Sequence, residues 1–152
     1  MHTTQPRTTR EFFFFQRLVG WALLVWGVSN IGLGVASLFG RQPFLRQFGL
    51  QALSWGAINA VIAVFGLRGA LKSLAQGDDP AASGGRFRVV VAVNALLDLG
   101  YLAGGTAALR SARGKPGRAG TGVGIIVQGL FLLIFDLVLV ALSGKYTRPA
   151  NR

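Results

Sequence analysis

Six side chains able to hold a proton, a cation or a polar ligand interrupt otherwise apolar stretches of the sequence: Asn30, Asn59, Asn94, Asp98, Gln128 and Asp136. Carboxylate and amide oxygens are hard donors, suited to a proton or to a cation such as Na⁺ or Ca²⁺. Asn94, Asp98 and Tyr101 fall at i, i+4 and i+7, one stripe of a helix. Trp26-Gly27-Val28-Ser29-Asn30 and Trp55-Gly56-Ala57-Ile58-Asn59 repeat the pattern Trp-Gly-x-x-Asn. That spacing puts each Trp and its Asn on one helix face, with a glycine alongside where a neighbouring backbone can come close. Trp26, Trp55 and Tyr101 are the candidate aromatic lining of a ligand site, although aromatics at such spacing more often simply pack.

Other chemistries lack their residues. The chain has no cysteine, and its one histidine is His2, so thiolate and imidazole ligands for zinc, copper, haem or iron–sulfur centres are missing. No metal site and no cofactor is expected. Paired membrane aspartates suggest intramembrane proteolysis, but those enzymes share a Gly-x-Gly-Asp context. Here Asp98 follows Leu96-Leu97 and Asp136 follows Ile134-Phe135. Gly122-Val123-Gly124 follows no strand, which argues against a dinucleotide loop. A non-enzyme is the expectation.

The elements that position these groups follow from composition. Of 152 residues, 51% are hydrophobic and 14% charged, and the mean hydropathy is +0.49. A soluble domain carries about 25% charged residues, so a water-soluble enzyme, a disordered tail and a disulfide-stapled module are all excluded. Four runs, 18–39, 48–67, 89–109 and 122–142, reach the roughly 20 residues that cross a bilayer as helix. They lack the alternation of a β-barrel strand. Arg41-Gln42-Pro43, Gly77-Asp78-Asp79-Pro80 and Gly114-Lys115-Pro116-Gly117 are turns. The predicted architecture is an all-α, four-transmembrane-helix antiparallel bundle with a polar Asn/Asp/Gln/Trp interior, in one domain spanning residues 1–152.

The first run is too long for a signal-peptide core and is read as an uncleaved anchor. Phe12–Phe15 before it reads as an aromatic interfacial girdle, or equally as hydrophobic filler. Three rows of small residues spaced by four are candidate packing seams: Gly32, Ala36 and Gly40; Ala52, Gly56 and Ala60; Gly100, Gly104 and Ala108.

The net charge is +11. One end of the bundle collects Arg7, Arg10, Arg17, Arg68, Lys72, Arg86, Arg88, Lys145, Arg148 and Arg152. The other collects Arg41, Arg46, Arg110, Arg113, Lys115 and Arg118. This excess places both termini in the cytoplasm. The cations follow helix ends on both sides, which favours contact with anionic lipid over nucleic acid. The expected partners are the lipid bilayer and a second copy or a larger membrane complex.

Hairpin register orders the polar groups by height. A first turn centred between Gln42 and Pro43 sets Trp26 level with Asn59, and Asn30 level with Trp55. A second, centred between Asp78 and Asp79, sets Asn59 level with Asp98. A third, centred on Lys115, sets Asn94 level with Asp136. Gln128 stands slightly above the layer of Asn30, Trp55 and Tyr101. All four polar faces should therefore meet in one interior, although Gln128 and Asp136, eight residues apart, diverge by roughly 80° around their helix.

Asn94-Ala95-Leu96-Leu97-Asp98-Leu99-Gly100-Tyr101 and the segment from Gln128-Gly129 to Phe135-Asp136 resemble the third- and fourth-helix signatures of a family of small bacterial four-span membrane proteins of unknown function. Trp55-Gly56-Ala57-Ile58-Asn59 resembles its second-helix pattern. The resemblance covers roughly residues 17 to 140 and implies the four-span fold and a bacterial inner membrane. It implies no activity.

Three functions fit. The first is an accessory or interaction subunit whose buried polar network organises the bundle. The second is a proton- or cation-coupled carrier or channel using Asp98 and Asp136, for which the Trp-Gly-x-x-Asn repeat on antiparallel spans would fit an inverted symmetry. The third is a binder of an apolar ligand such as a quinone, lipid or pigment. The first two call on the same residues, because a buried carboxylic acid either donates a hydrogen bond to an amide or exchanges a proton with water. Solvent access separates them.

Overall fold

The computed structural model describes residues 7–146. His2, Arg148 and Arg152 lie outside the described residues, as does the side chain of Arg7. Four helices follow one another: α1 (Arg7–Leu38), α2 (Pro43–Gln76), α3 (Pro80–Arg110) and α4 (Pro116–Ser143), ending in a 3₁₀ turn at Gly144–Tyr146. Each is long and apolar enough to cross a membrane. The protein is a multi-pass membrane bundle of antiparallel neighbours.

The turns work as their residues dictate. Pro43, Pro80 and Pro116 each open a helix, at a position where a missing N–H goes unused. Gly77 ends α2 in the left-handed conformation at φ 70°, which a side chain would resist. Asp79 then caps α3, accepting from the backbone N–H groups of Ala81 at 3.2 Å and Ala82 at 3.0 Å.

The helices outrun the apolar segments. At 28 to 34 residues they span about 42–51 Å at 1.5 Å per residue, against a hydrocarbon core of about 30 Å. Their ends therefore reach the headgroups, and Arg10, Arg17, Arg68, Lys72, Arg86 and Arg88 sit on helix rather than in loops. At this end Phe12 and Phe13 are fully buried. Phe12 packs on Phe87 and Tyr146, with ring centroids 6.4 and 5.2 Å away, and Phe15 packs on the same two rings. The girdle expected at Phe12–Phe15 is thus largely an internal aromatic cluster tying α1 to α3 and the 3₁₀ turn, and Phe14 is the ring left facing outward.

Glycines set the helix crossings. A β-carbon on Gly27 would come within 2.8 Å of the Gly56 carbonyl oxygen, and one on Gly56 within 2.7 Å of the Gly27 oxygen. The glycine of each Trp-Gly-x-x-Asn motif is therefore the point where α1 and α2 touch. Gly105 and Gly122 play this part between α3 and α4, and Gly124 lies against Gln51 between α2 and α4. Of the expected small rows, Ala52 and Gly56 lie in a seam. Gly32, Gly100 and Gly104 face open space, and Gly105, one residue along, makes the α3 contact. The dominant pairings are α1 with α2, α3 with α4, and α2 with α4. Although consecutive, α2 and α3 scarcely approach each other.

Candidate functional site

The polar residues of the spans separate into two groups. The first joins α1 to α4. Asn30 anchors itself by donating from Nδ2 to the Trp26 carbonyl oxygen at 2.9 Å. Gln128 Nε2 donates to Asn30 Oδ1, and Trp26 Nε1 donates to Gln128 Oε1 at 3.2 Å. The indole lies flat on Phe131, with ring centroids 3.7 Å apart and planes 11° apart. Gln128 is 1% exposed, and both ends of its amide are engaged. The polar atoms of this group are engaged with one another, and Trp26 packs on Phe131 while donating to Gln128.

The second group lies toward the end of the bundle that carries the termini. A cavity of about 160 Å³ is bounded by α2, α3 and α4, with Leu23 of α1 at its back. Its polar lining is Asn59, Asn94, Asp98 and Asp136, and its aromatic lining is Trp55, Tyr101 and Phe135. At about 30 Å³ per water the volume would take roughly five waters or one small solute. The gap exists because α2 and α3 stay apart, and Ile58, Ile62 and Leu97 form its exposed, apolar lip.

Asp98 and Asn59 are 3% and 2% exposed, yet Asp98 Oδ2 and Asn59 Nδ2 have no hydrogen-bond partner within the chain. Such an atom costs about 1–3 kcal/mol when left unpaired. Both residues border the cavity, while the two unpaired atoms themselves are closed to water in this conformation. Asp136, on the facing helix, adds a second carboxyl group, and Asn94, at the lip, a second amide. Among the described residues no cluster of three or more His, Cys, Asp or Glu side chains forms a metal site. The available donors are two carboxyl groups and two amides, a set for a proton, a monovalent cation or a small polar group.

The expected heights hold within this second group. Asn59 with Asp98, Asn94 with Asp136, and Trp55 with Tyr101 all share the cavity, and the last two rings meet edge to face at 4.7 Å. Asn30, Asn59, Asp98, Gln128 and Asp136 are all buried inside the bundle, where they divide into two groups. Asn30 bonds Gln128, expected just above its layer, and packs on Gly56 beside Trp55, while Trp26 turns to Gln128; neither Trp26 nor Asn30 lines the cavity. Gln128 and Asp136 lie eight residues apart, about 12 Å along α4, but the groups overlap in height, since Tyr101 and the Asp98 carbonyl lie against Gly129, next to Gln128. Ser29 and Ser54 are exposed, while Gln51 and Thr106 are half-buried away from the cavity. The lining residues that polarity alone does not reveal are Leu23, Ile58, Ile62, Leu97, Leu132 and Phe135. Most stand one, three or four positions from Asn59, Asp98 or Asp136, so helical neighbourhood is the signal that finds them.

Four apolar spans enclosing a mid-depth polar cavity define a small integral membrane protein of the four-helix class. Its sequence places it further: the chain matches a family of unknown function (DUF6992) over residues 22–137, and it belongs to that family. No curated protein and no solved structure matches it.

Proposed function

We propose that the protein is a non-enzymatic membrane carrier or channel that takes up a proton or a small monovalent cation at Asp98 and Asp136. The observation that carries this reading is Asp98 itself. Its carboxyl group is almost fully buried, keeps one oxygen without a partner, and borders a cavity shared with a second acid and two amides. A carboxyl group whose purpose is to hold helices together would spend its oxygens on neighbours, as Gln128 does. Ionisable groups at this depth belong by default to transport paths. In the cell, both termini would face the cytoplasm, on the side with the larger number of basic residues.

The test is flux. The full chain is reconstituted in liposomes that enclose a pH dye or a sodium dye, and a potassium diffusion potential is imposed. The wild type should carry current above empty vesicles. Asp98→Asn and Asp136→Asn should each lower it by about a hundredfold, because each removes one titratable group from a shared path. A wild type no different from empty vesicles, or a double variant as active as the wild type, overturns the reading.

The accessory-subunit reading is favoured by a different observation. Gly100 and Gly104 on α3 have no atom of the chain where their side chains would stand, and such rows suit contact with another helix. Co-purification of two differently tagged copies from one membrane would test it. Recovery of only one tag would count against a homo-oligomer.

A further inference from the structure

A second hollow lies between the cavity and the termini end of the bundle. It measures about 320 Å³, lies on the same α2–α3 seam and is lined by Gln16, Gly66, Gly69, Ser73, Ser83 and Arg86 among others. Gly66 is one helical turn beyond Ile62 on α2, and Val90 is one turn before Asn94 on α3. Ile62 and Asn94 border the Asp98 cavity, and Gly66 and Val90 border the second hollow. The two spaces are therefore consecutive along one seam. A β-carbon at Gly66 or Gly69 would meet nothing within 4 Å, so these glycines leave a floor of bare backbone. The outer part of the groove carries polar groups able to hold water: Gln16, Ser73, Ser83 and Arg86. It opens at the end of the bundle where α2 stops and α3 starts, the end that carries both termini.

The opposite direction is different. There the seam is crossed by Trp55 and Tyr101, whose rings pack at 73° with centroids 4.7 Å apart. These rings are the one aromatic contact joining α2 to α3 among the described residues.

We infer that Asp98 and Asn59 are reached by water and solute from the termini side of the membrane, along the groove floored by Gly66 and Gly69, and that the Trp55–Tyr101 pair is the gate on the far side. This rests on the cavity being the functional site and adds the side from which it is served. Asp98 and Asn59 border the cavity that the route serves, and each keeps a buried polar atom without a partner.

The chain has no cysteine, which makes the route directly testable. Single cysteines are introduced into the full chain, reconstituted in one orientation, and challenged from either side with a charged, membrane-impermeant thiol reagent. Such reagents attack the thiolate, so a cysteine bathed only in lipid stays unreactive. Gln76→Cys marks the termini side and Lys115→Cys the far side. Ile62→Cys should react from the termini side about a hundredfold faster than from the far side. Adding Gly66→Leu and Gly69→Leu should slow that reaction about tenfold while the Gln76→Cys marker keeps its rate, since a β-carbon at either position meets no atom within 4 Å and the longer side chain extends over the hollow. Adding Trp55→Ala and Tyr101→Ala should bring far-side reaction up by about tenfold. The inference fails if Ile62→Cys reacts equally from both sides, reacts only from the far side, or stays silent while both markers react. Labelling from the termini side without flux leaves the route standing and sinks the cation reading. Flux with far-side labelling does the reverse.

Discussion

The two polar groups of this bundle are built from the same kinds of residue and do opposite things with them. Around Gln128 an amide, an amide and an indole exchange hydrogen bonds among themselves, and a phenyl ring stacks on the indole. Beside it, between α2, α3 and α4, two amides and two acids border a cavity, and two of their buried atoms stay unpaired. In lipid an unpaired polar atom finds no water to turn to, so it stays unpaired or waits for a guest. The comparison teaches that buried polarity in a membrane bundle is informative through its hydrogen-bond accounts. Residues with closed accounts serve the fold, and residues with open ones are candidates for function.

The largest effect that would break or sharpen this contrast is expected at Gln128. In Gln128→Leu the Trp26 N–H and Asn30 Oδ1 both lose their partner. Side-chain hydrogen bonds in membranes average about 0.6 kcal/mol, and the orphaned buried groups add to that. The bundle should lose about 2 kcal/mol, measured by steric trapping or by denaturant titration in mild detergent. Flux through the acid cavity should persist wherever the variant is folded. Unchanged stability would mean that the first group does not organise the bundle.

How these groups divide was only half written in the sequence. The spans were legible because lipid demands long apolar runs and basic ends. Heights were legible too, since a tight turn and a fixed rise per residue suffice to bring Asn59 beside Asp98 and Asn94 beside Asp136. Direction around the helix was not. One residue is 100° of rotation, so Gly105 touches α4 while Gly104 faces outward, and Trp26 turns to Gln128 instead of Asn59. Nor did apolarity tell Phe12 and Phe13, fully buried, from Phe14, exposed in the same run. That distinction depends on where Phe87 and Tyr146 arrive from distant parts of the chain.

The next effect is smaller and opposite in sign. Asp98→Leu replaces a buried group that has an unpaired oxygen with an apolar side chain, and the adjoining cavity has room for it. Stability should rise by about 1 kcal/mol in the same titration, while flux disappears. A gain in stability with loss of activity is the signature of a residue kept for its chemistry. If the variant is instead less stable than the wild type by as much as Gln128→Leu, the two groups are alike and the contrast falls.

The smallest effect concerns the groove's mouth, where the surroundings oppose the site. Arg86 lines the outer hollow and donates from Nη2 to Ser83 Oγ at 3.4 Å. A cation travelling to Asp98 passes this guanidinium, whose charge lowers the local cation concentration. In water the repulsion between unit charges is about 1 kcal/mol at 4 Å and less beyond. Arg86→Gln should therefore speed cation uptake by about threefold at low salt, and the gain should shrink as ionic strength rises and screens the charge. The Gln128 group is remote from the groove and should show no such salt dependence. Uptake that slows in Arg86→Gln, or that responds equally to salt with and without the arginine, would mean that cations reach Asp98 by some path other than this mouth.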